Sequence, residues 1–327
     1  MNANRIKIVF AGAGPFASPV LESLLNDPGI EVARIVTQED KPAGRKGILT
    51  PSPLGKWCEA QGIVFERVHS VNDPEFLRSL RETAPDLIVV VSFGQLLKEE
   101  ILSLPPLGCL NVHASLLPKY RGASPIISVV LNGEAETGVS FMRMDKGLDT
   151  GPVYQMVTMP LSGETVMPDL ELELAQLAGS HIGDCIRRIA SGELVPVEQN
   201  HAEATVSRKV RKQHGAMDWH ENAEILDRKI RAFQPWPSVT FAVARGEKTM
   251  LVKISQCRLI REDTGMEPGT VTAITKEGIT VACREGALLL SRVIPEGKKE
   301  MGAADFARGF RIETGMIFLN GPGISAQ

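Results

Sequence analysis

Asn111 and His113 stand two residues apart near the end of an apolar run, in the stretch Leu107–Gly122 that reads Leu-Gly-Cys-Leu-Asn-Val-His-Ala-Ser-Leu-Leu-Pro-Lys-Tyr-Arg-Gly. Residues two apart on a β-strand point to the same face. The spacing therefore sets a carboxamide beside an imidazole where a buried strand ends. Asp149, in the turn-rich loop Asp145–Pro152, is a third polar group that could converge on them. An imidazole titrates near neutral pH and can move protons. A neighbouring carboxylate fixes its tautomer and favours its charged form. A carboxamide donates hydrogen bonds to a developing oxyanion without competing for a proton. Together the three suit a tetrahedral intermediate at a carbonyl attacked by an amine. No serine or cysteine is placed as a nucleophile, so direct transfer is expected rather than a covalent enzyme intermediate. The bland alternative is a satisfied structural pair, with Asp149 capping a turn.

These residues need a scaffold, and the chain before them reads as one. A strand over 5–11 runs into Gly12-Ala13-Gly14-Pro15-Phe16-Ala17 and then an amphipathic helix with Val20, Leu21, Leu24 and Leu25 on one face. The glycines match a dinucleotide-binding pattern. Pro15 falls where a pyrophosphate needs N–H groups, so a tight strand-to-helix turn is the better reading. A strand over 31–37 opens a long loop, residues 37–53, rich in Pro, Gly and basic residues and expected to be irregular. Pro85–Val91 is a continuous apolar strand, as in parallel sheets. It ends in Ser92-Phe93-Gly94. The strand–helix alternation predicts an α/β doubly wound sheet of parallel type, whose ligands bind beyond the strands' carboxyl ends. A helix near 123–132, strands over 137–144 and 153–159, and a long helix over 165–190 follow.

The second part differs. Residues 1–206 hold 17 basic and 25 acidic side chains, a balance of −8, whereas 207–327 hold 19 and 14, a balance of +5. The basic run Arg208, Lys209, Arg211, Lys212 opens it. A basic helix over 223–233 and five short strand-like runs between 238 and 294 suggest a small β-barrel. A polyanionic partner is expected for this part. The expected division is therefore 1–190, a polar linker over 191–206, and 207–327. The five cysteines, Cys58, Cys109, Cys185, Cys257 and Cys283, form no C-x-x-C pair. That suits reduced thiols in a cytoplasm and argues against a zinc site. No apolar run approaches the ~20 residues of a membrane span, so no membrane partner is expected. The start leads into a strand without the features of a signal peptide.

Residues Asn111–Ile126, with Glu136-Thr137-Gly138-Val139 and Gly147–Gly151 following, resemble the signature of the 10-formyltetrahydrofolate-dependent formyltransferases. The loop Pro42-Ala43-Gly44-Arg45 and the stretch Ile230–Pro237 with its Pro-Trp-Pro are similar to the branch that formylates the amine of methionine on initiator methionyl-tRNA for translation initiation. The resemblance implies a Rossmann-like catalytic domain and a C-terminal OB-like barrel, with 10-formyltetrahydrofolate as formyl donor and no metal; a monomer is expected. It implies that Asn111 binds the formyl oxygen and that His113 stabilises the intermediate and handles protons, with Asp149 orienting His113. Ser115, Leu116, Leu117 and Pro118 would contact the folate, with Phe93 and Gly94 near the pterin. Lys41, Arg45 and Lys46 would meet the acceptor end of the tRNA. The sequence departs from the family at Ala13-Gly14-Pro15-Phe16, where Thr-Pro-Asp-Phe is usual, and at Glu39-Asp40-Lys41, where Pro-Asp-Arg is common. Alternatives are a folate enzyme with another acceptor (an amino-sugar nucleotide, or water), a non-catalytic RNA-binding protein, and a nicotinamide oxidoreductase.

Overall fold

The computed structural model describes residues 5–43, 47–246 and 248–323. Two compact units partition the chain: Met1–Ile126, Ala135–Leu161 and Asp169–Ser207 form the first, and Ile127–Glu134, Ser162–Pro168 and Arg208–Gln327 the second. The stretch 191–206, read from the sequence as a linker, belongs to the first unit.

In chain order the first unit contains β1 (Ile6–Gly12), α1 (Ala17–Leu25), β2 (Ile30–Gln38), β3 (Lys41–Ala43), β4 (Ile48–Thr50), α2 (Pro53–Gln61), β5 (Glu66–Val68), α3 (Pro74–Thr83), β6 (Leu87–Val91), α4 (Glu99–Leu102), β7 (Cys109–His113) and β8 (Arg121–Gly122). Helix α5 (Pro125–Asn132) follows and lies mostly in the second unit, and β9 (Glu136–Arg143), β10 (Val153–Pro160), α6 (Met167–Ala190) and β11 (Val206–Ser207) complete the first. Seven strands form one sheet in the order β10-β9-β7-β6-β1-β2-β5. The five from β7 to β5 pair parallel, while β9 runs antiparallel to β7 and β10 antiparallel to β9. The sheet is thus mixed, because β9 and β10 form a hairpin across the 144–152 loop. That hairpin returns Asp149 beside the strand it must reach.

All of Leu87–Val91 is buried. Such burial stabilises by roughly 1.5–3 kcal/mol per large aliphatic side chain, so a strand of this kind can only be central. Val9, Ala11, Ile88 and Val90 join Leu77 and Leu80 of α3 in one cluster. The alternate residues Ile8, Phe10, Val89 and Val91 are equally buried and face the other layer. Helices α1 and α6 lie together, with Ser23 Oγ donating to the Gly179 carbonyl at 2.5 Å. Ser52 caps α2 by accepting from Gly55 N at 2.9 Å, and Asp73 caps α3 from Glu75 N at 2.9 Å.

The 37–53 loop is more regular than its composition suggested. Lys41–Ala43 pairs antiparallel with Ile48–Thr50. A two-stranded hairpin tolerates Pro42 because an edge position needs no donor there. Two acidic residues tie this loop down: Arg67 Nε bonds Asp40 at 2.8 Å, and His69 Nδ1 lies 2.9 Å from Glu39, which stands where the resembled pattern has proline.

The second unit continues with α7 (Ala223–Ala232), β12 (Val239–Arg245), β13 (Lys248–Ile260), β14 (Val271–Thr275), β15 (Gly278–Ala282), β16 (Ala287–Pro295), β17 (Met301–Gly302) and α8 (Ala303–Phe310). Five antiparallel strands lie in the order β12-β13-β16-β15-β14, and β17 pairs β16. The tail closes the OB-like barrel, since Leu319 bridges Ala242 of β12 and Ile317 bridges Thr270 beside β14. Both edge strands thereby gain partners. Trp219, Phe241 and Phe318 pack inside, the two phenylalanine rings stacked at 4.7 Å.

Candidate active site

The apolar run Leu-Asn-Val-His folds as β7 because it is flanked by β6 and β9, which bury it on both edges. Asn111 and His113 sit at its carboxyl end. Asp149 reaches them from the loop between β9 and β10. Asn111 Nδ2 donates to Asp149 Oδ1 at 3.3 Å, and His113 Nδ1 lies 3.7 Å from Asp149 Oδ2. The second is an ion-pair separation, too long for a hydrogen bond. Gly122 N donates to Asp149 Oδ2 at 2.7 Å.

His113 is buried, 6% exposed. Its Nε2 stands 3.0 Å from the Tyr120 carbonyl, which can only accept, so Nε2 carries the proton. Burial pushes its pKa below the ordinary histidine value, against the opposing pull of Asp149 and Tyr120. This reverses the expectation that the carboxylate would favour the charged form. Desolvation of a sequestered imidazole outweighs a carboxylate held beyond hydrogen-bond distance. The resting group is therefore neutral at pH 7, with the Nδ1 lone pair on the Asp149 side.

Two residues that fix this geometry have left-handed backbone: Tyr120 at φ 60° and Asp149 at φ 53°. For residues other than glycine such conformations cost on the order of 1–3 kcal/mol each and need surrounding support. That support comes from 199–207. Gln199 Nε2 donates to the Asp149 carbonyl at 2.9 Å and the Gly151 carbonyl at 2.7 Å. Its Oε1 accepts from Arg121 Nε at 3.0 Å and Nη2 at 2.7 Å. Tyr120 N donates to Thr205 Oγ1 at 2.8 Å, and β11 pairs parallel with β8. Sequence reasoning missed Gln199, Thr205 and Arg121. A glutamine inside a polar stretch has no periodic signal to betray it.

The expected folate contacts divide. Ser115 is fully buried with its hydroxyl on the Lys119 carbonyl, 2.7 Å away. Leu117 is buried, its N–H given to Ser140 Oγ at 3.0 Å. Leu116 and Pro118 are half-buried and present surface. Phe93 packs in the core, while Gly94 is exposed at φ 71°. A Cβ on Gly94 would come within 2.8 Å of Gln38 Nε2. Gln38 Nε2 bonds the Phe93 carbonyl, and Lys41 Nζ bonds Gln38 Oε1, which anchors Lys41 at this edge. Arg45 and Lys46 lie outside the described residues. Arg208, Lys209, Arg211 and Lys212 are all exposed in the second unit.

Other chemistries find less support here. At the Gly12–Ala17 turn, Gly14 N bonds the Ser92 carbonyl at 3.3 Å and Ala17 N bonds the Gly14 carbonyl at 3.1 Å, so those donors are engaged within the fold. Gly12 is needed for packing, since a Cβ there would lie 2.8 Å from the Phe10 ring. Burial pushes the Cys109 thiol, on the same strand as Asn111, up to about 12. It is not a nucleophile at neutral pH. All five cysteines are free. Among the described residues no cluster of His, Cys, Asp and Glu could hold a metal ion, and no helix is long and apolar enough to cross a membrane.

Residues 4–182 match the family of the formyl transferases, and residues 209–311 match the formyl transferase C-terminal domain. The methionyl-tRNA formyltransferase of Xylella fastidiosa (strain 9a5c) is 41% identical over 307 residues, 94% of this chain and 98% of that protein. The chain belongs to the methionyl-tRNA formyltransferase family. Among solved structures, HypX from Aquifex aeolicus in complex with tetrahydrofolic acid is similar at a TM-score of 0.63 and 16% identity, over 94% of this chain and 48% of that one. The chain thus spans about half of HypX. An N-formyltransferase from Helicobacter canadensis, in complex with folinic acid and dTDP-3-aminofucose, gives 0.60 at 18% identity over 90% of this chain and all of that one. These two likenesses show the formyltransferase fold.

Proposed function

We propose that the chain transfers a formyl group from 10-formyltetrahydrofolate to the α-amine of methionine on initiator methionyl-tRNA, directly and through a tetrahedral intermediate. The observation that carries the reading is the meeting of Asn111, His113 and Asp149 at the strand ends of a chain related over nearly its whole length to enzymes of that name.

The folate supplies the formyl carbon as electrophile. Asn111 donates one amide N–H to Asp149 and has a second to give. That second donor would bind the formyl oxygen as charge builds on it, without proton exchange. His113 must be neutral to accept a proton, and its burial makes it so. Its Nδ1 would take the proton of the attacking amine, the Asp149 carboxylate would stabilise the resulting imidazolium, and that proton would pass to N10 of the folate as the bond from N10 to the formyl carbon breaks and tetrahydrofolate leaves. The donor fits this edge, where Leu116 and Pro118 give apolar surface and the glycine backbone at Gly94 permits close approach. Ser115 and Leu117 would serve by shaping the turn, since their polar groups are engaged within it. Lys41 and the exposed run Arg208, Lys209, Arg211 and Lys212 would contact tRNA phosphates. We read the chain as a cytoplasmic monomer, and its five free cysteines suit a reducing compartment.

Purified protein incubated with 10-formyltetrahydrofolate and charged initiator methionyl-tRNA should yield formylmethionyl-tRNA. An inert tRNA reaction beside an active one with an amino-sugar nucleotide would reassign the acceptor.

A further inference from the structure

Two separate loops present their groups to His113, and one segment holds both. Tyr120 supplies the carbonyl that fixes the tautomer, and Asp149 supplies the carboxylate. Each adopts a left-handed backbone that is uncommon for residues other than glycine. Gln199 grips the end of the Asp149 loop with both N–H groups, on the carbonyls of Asp149 and Gly151, and its oxygen is bound by Arg121, the residue after Tyr120. Thr205 takes the Tyr120 N–H on its hydroxyl and the Arg121 N–H on its carbonyl, at 2.8 and 2.9 Å.

We propose that Gln199 and Thr205 are positioning residues for the transfer reaction, forming a clasp that sets Asp149 and the Tyr120 carbonyl against His113. The inference rests on the function proposed above. Gln199 is 8% exposed and its amide is saturated: two donors given, one oxygen twice accepted. A carboxamide carries both the two N–H donors that the carbonyls take and the acceptor that the guanidinium needs. Glutamate would turn an anion onto the carbonyls of Asp149 and Gly151, and methionine would leave them and Arg121 unpaired. Either change frees the Asp149 backbone to leave its left-handed state, which swings the carboxylate away from Asn111 and His113. A displacement of about 1 Å in a reacting group is enough to slow a reaction by about 10²-fold.

The test compares Gln199→Met, Thr205→Val and Thr205→Ser with wild type and with Asp149→Asn, all as full-length protein. Steady-state formylation of charged initiator tRNA is measured across pH, and the thermal transition checks the fold. The clasp predicts that Gln199→Met and Thr205→Val lower kcat roughly 10- to 100-fold, with KM for the folate little changed and the acid limb of the kcat profile displaced. Thr205→Ser keeps the acceptor and should recover most of the rate. Folded Gln199→Met and Thr205→Val proteins with wild-type kcat and an unmoved acid limb would overturn the proposal. So would Thr205→Ser as slow as Thr205→Val. Should Asp149→Asn itself retain wild-type turnover, the fault would lie with the assigned roles at the site and not with the clasp alone.

Discussion

His113 Nε2 lies 3.0 Å from the carbonyl oxygen of Tyr120, and this contact decides which nitrogen carries the proton. Nδ1 is left with its lone pair toward Asp149. Nitrogen-15 chemical shifts of the free protein should therefore show a neutral Nε2–H tautomer for His113 at pH 7. A signal from Nδ1–H, or from an imidazolium, would contradict the assignment.

The same burial makes a prediction about stability. His113 has a lowered pKa in the folded state, so below the ordinary value of about 6.5 the unfolded chain binds the proton more readily. Its contribution is fully present above about pH 6.5 and is lost as pH falls toward the folded value. Denaturant unfolding of wild type and His113→Gln should show wild type losing more stability on acidification through that window. Parallel pH dependences would mean that the imidazole is not desolvated as described.

Asn111→Ala should lower kcat by on the order of 10²–10³, the usual loss for one oxyanion donor. KM for either substrate should change far less, because the interaction strengthens only as charge develops. Asn111→Asp should be worse, since it sets a second carboxylate beside Asp149, whose Oδ1 is 3.3 Å from Asn111 Nδ2. A variant whose defect lay wholly in KM would move Asn111 from catalysis to ground-state binding.

Much of this was legible from the residues. The apolar run of β6, the same-face spacing of Asn111 and His113, and the amphipathic spacing of Val20, Leu21 and Leu24 in α1 are local patterns, and local patterns survive folding. Other features were not. The antiparallel β9–β10 hairpin and the 317–319 closure of the barrel depend on partners far along the chain. The hairpin within 37–53 was hidden by its Pro and Gly content. The neutral state of His113 follows from burial, and a sequence shows the carboxylate neighbour without the desolvation that outweighs it. Gln199 was invisible for a related reason: it acts through backbone carbonyls of residues 48–50 positions away.

Ser140 illustrates a structural role inside the site. Its fully buried hydroxyl donates to the Ser115 carbonyl at 2.7 Å and accepts from Leu117 N at 3.0 Å. Ser140→Ala should reduce unfolding free energy by roughly 1–3 kcal/mol, the penalty for stranding buried polar groups. Urea titration measures it, and an unchanged midpoint would show that water replaces the hydroxyl.

Replacing Arg208, Lys209, Arg211 and Lys212 with glutamine should weaken tRNA binding and flatten its salt dependence. Each lost phosphate contact lowers the slope of log K against log salt by about 0.9 for a duplex. A slope equal to that of wild type would place the docking surface elsewhere.

The most direct measurement is the single-turnover rate of formyl transfer to charged initiator methionyl-tRNA, for wild type and His113→Ala side by side. Wild type should yield formylmethionyl-tRNA, and the variant should react more slowly by on the order of 10²–10⁴ with its fold intact. Equal rates would contradict the role given to His113.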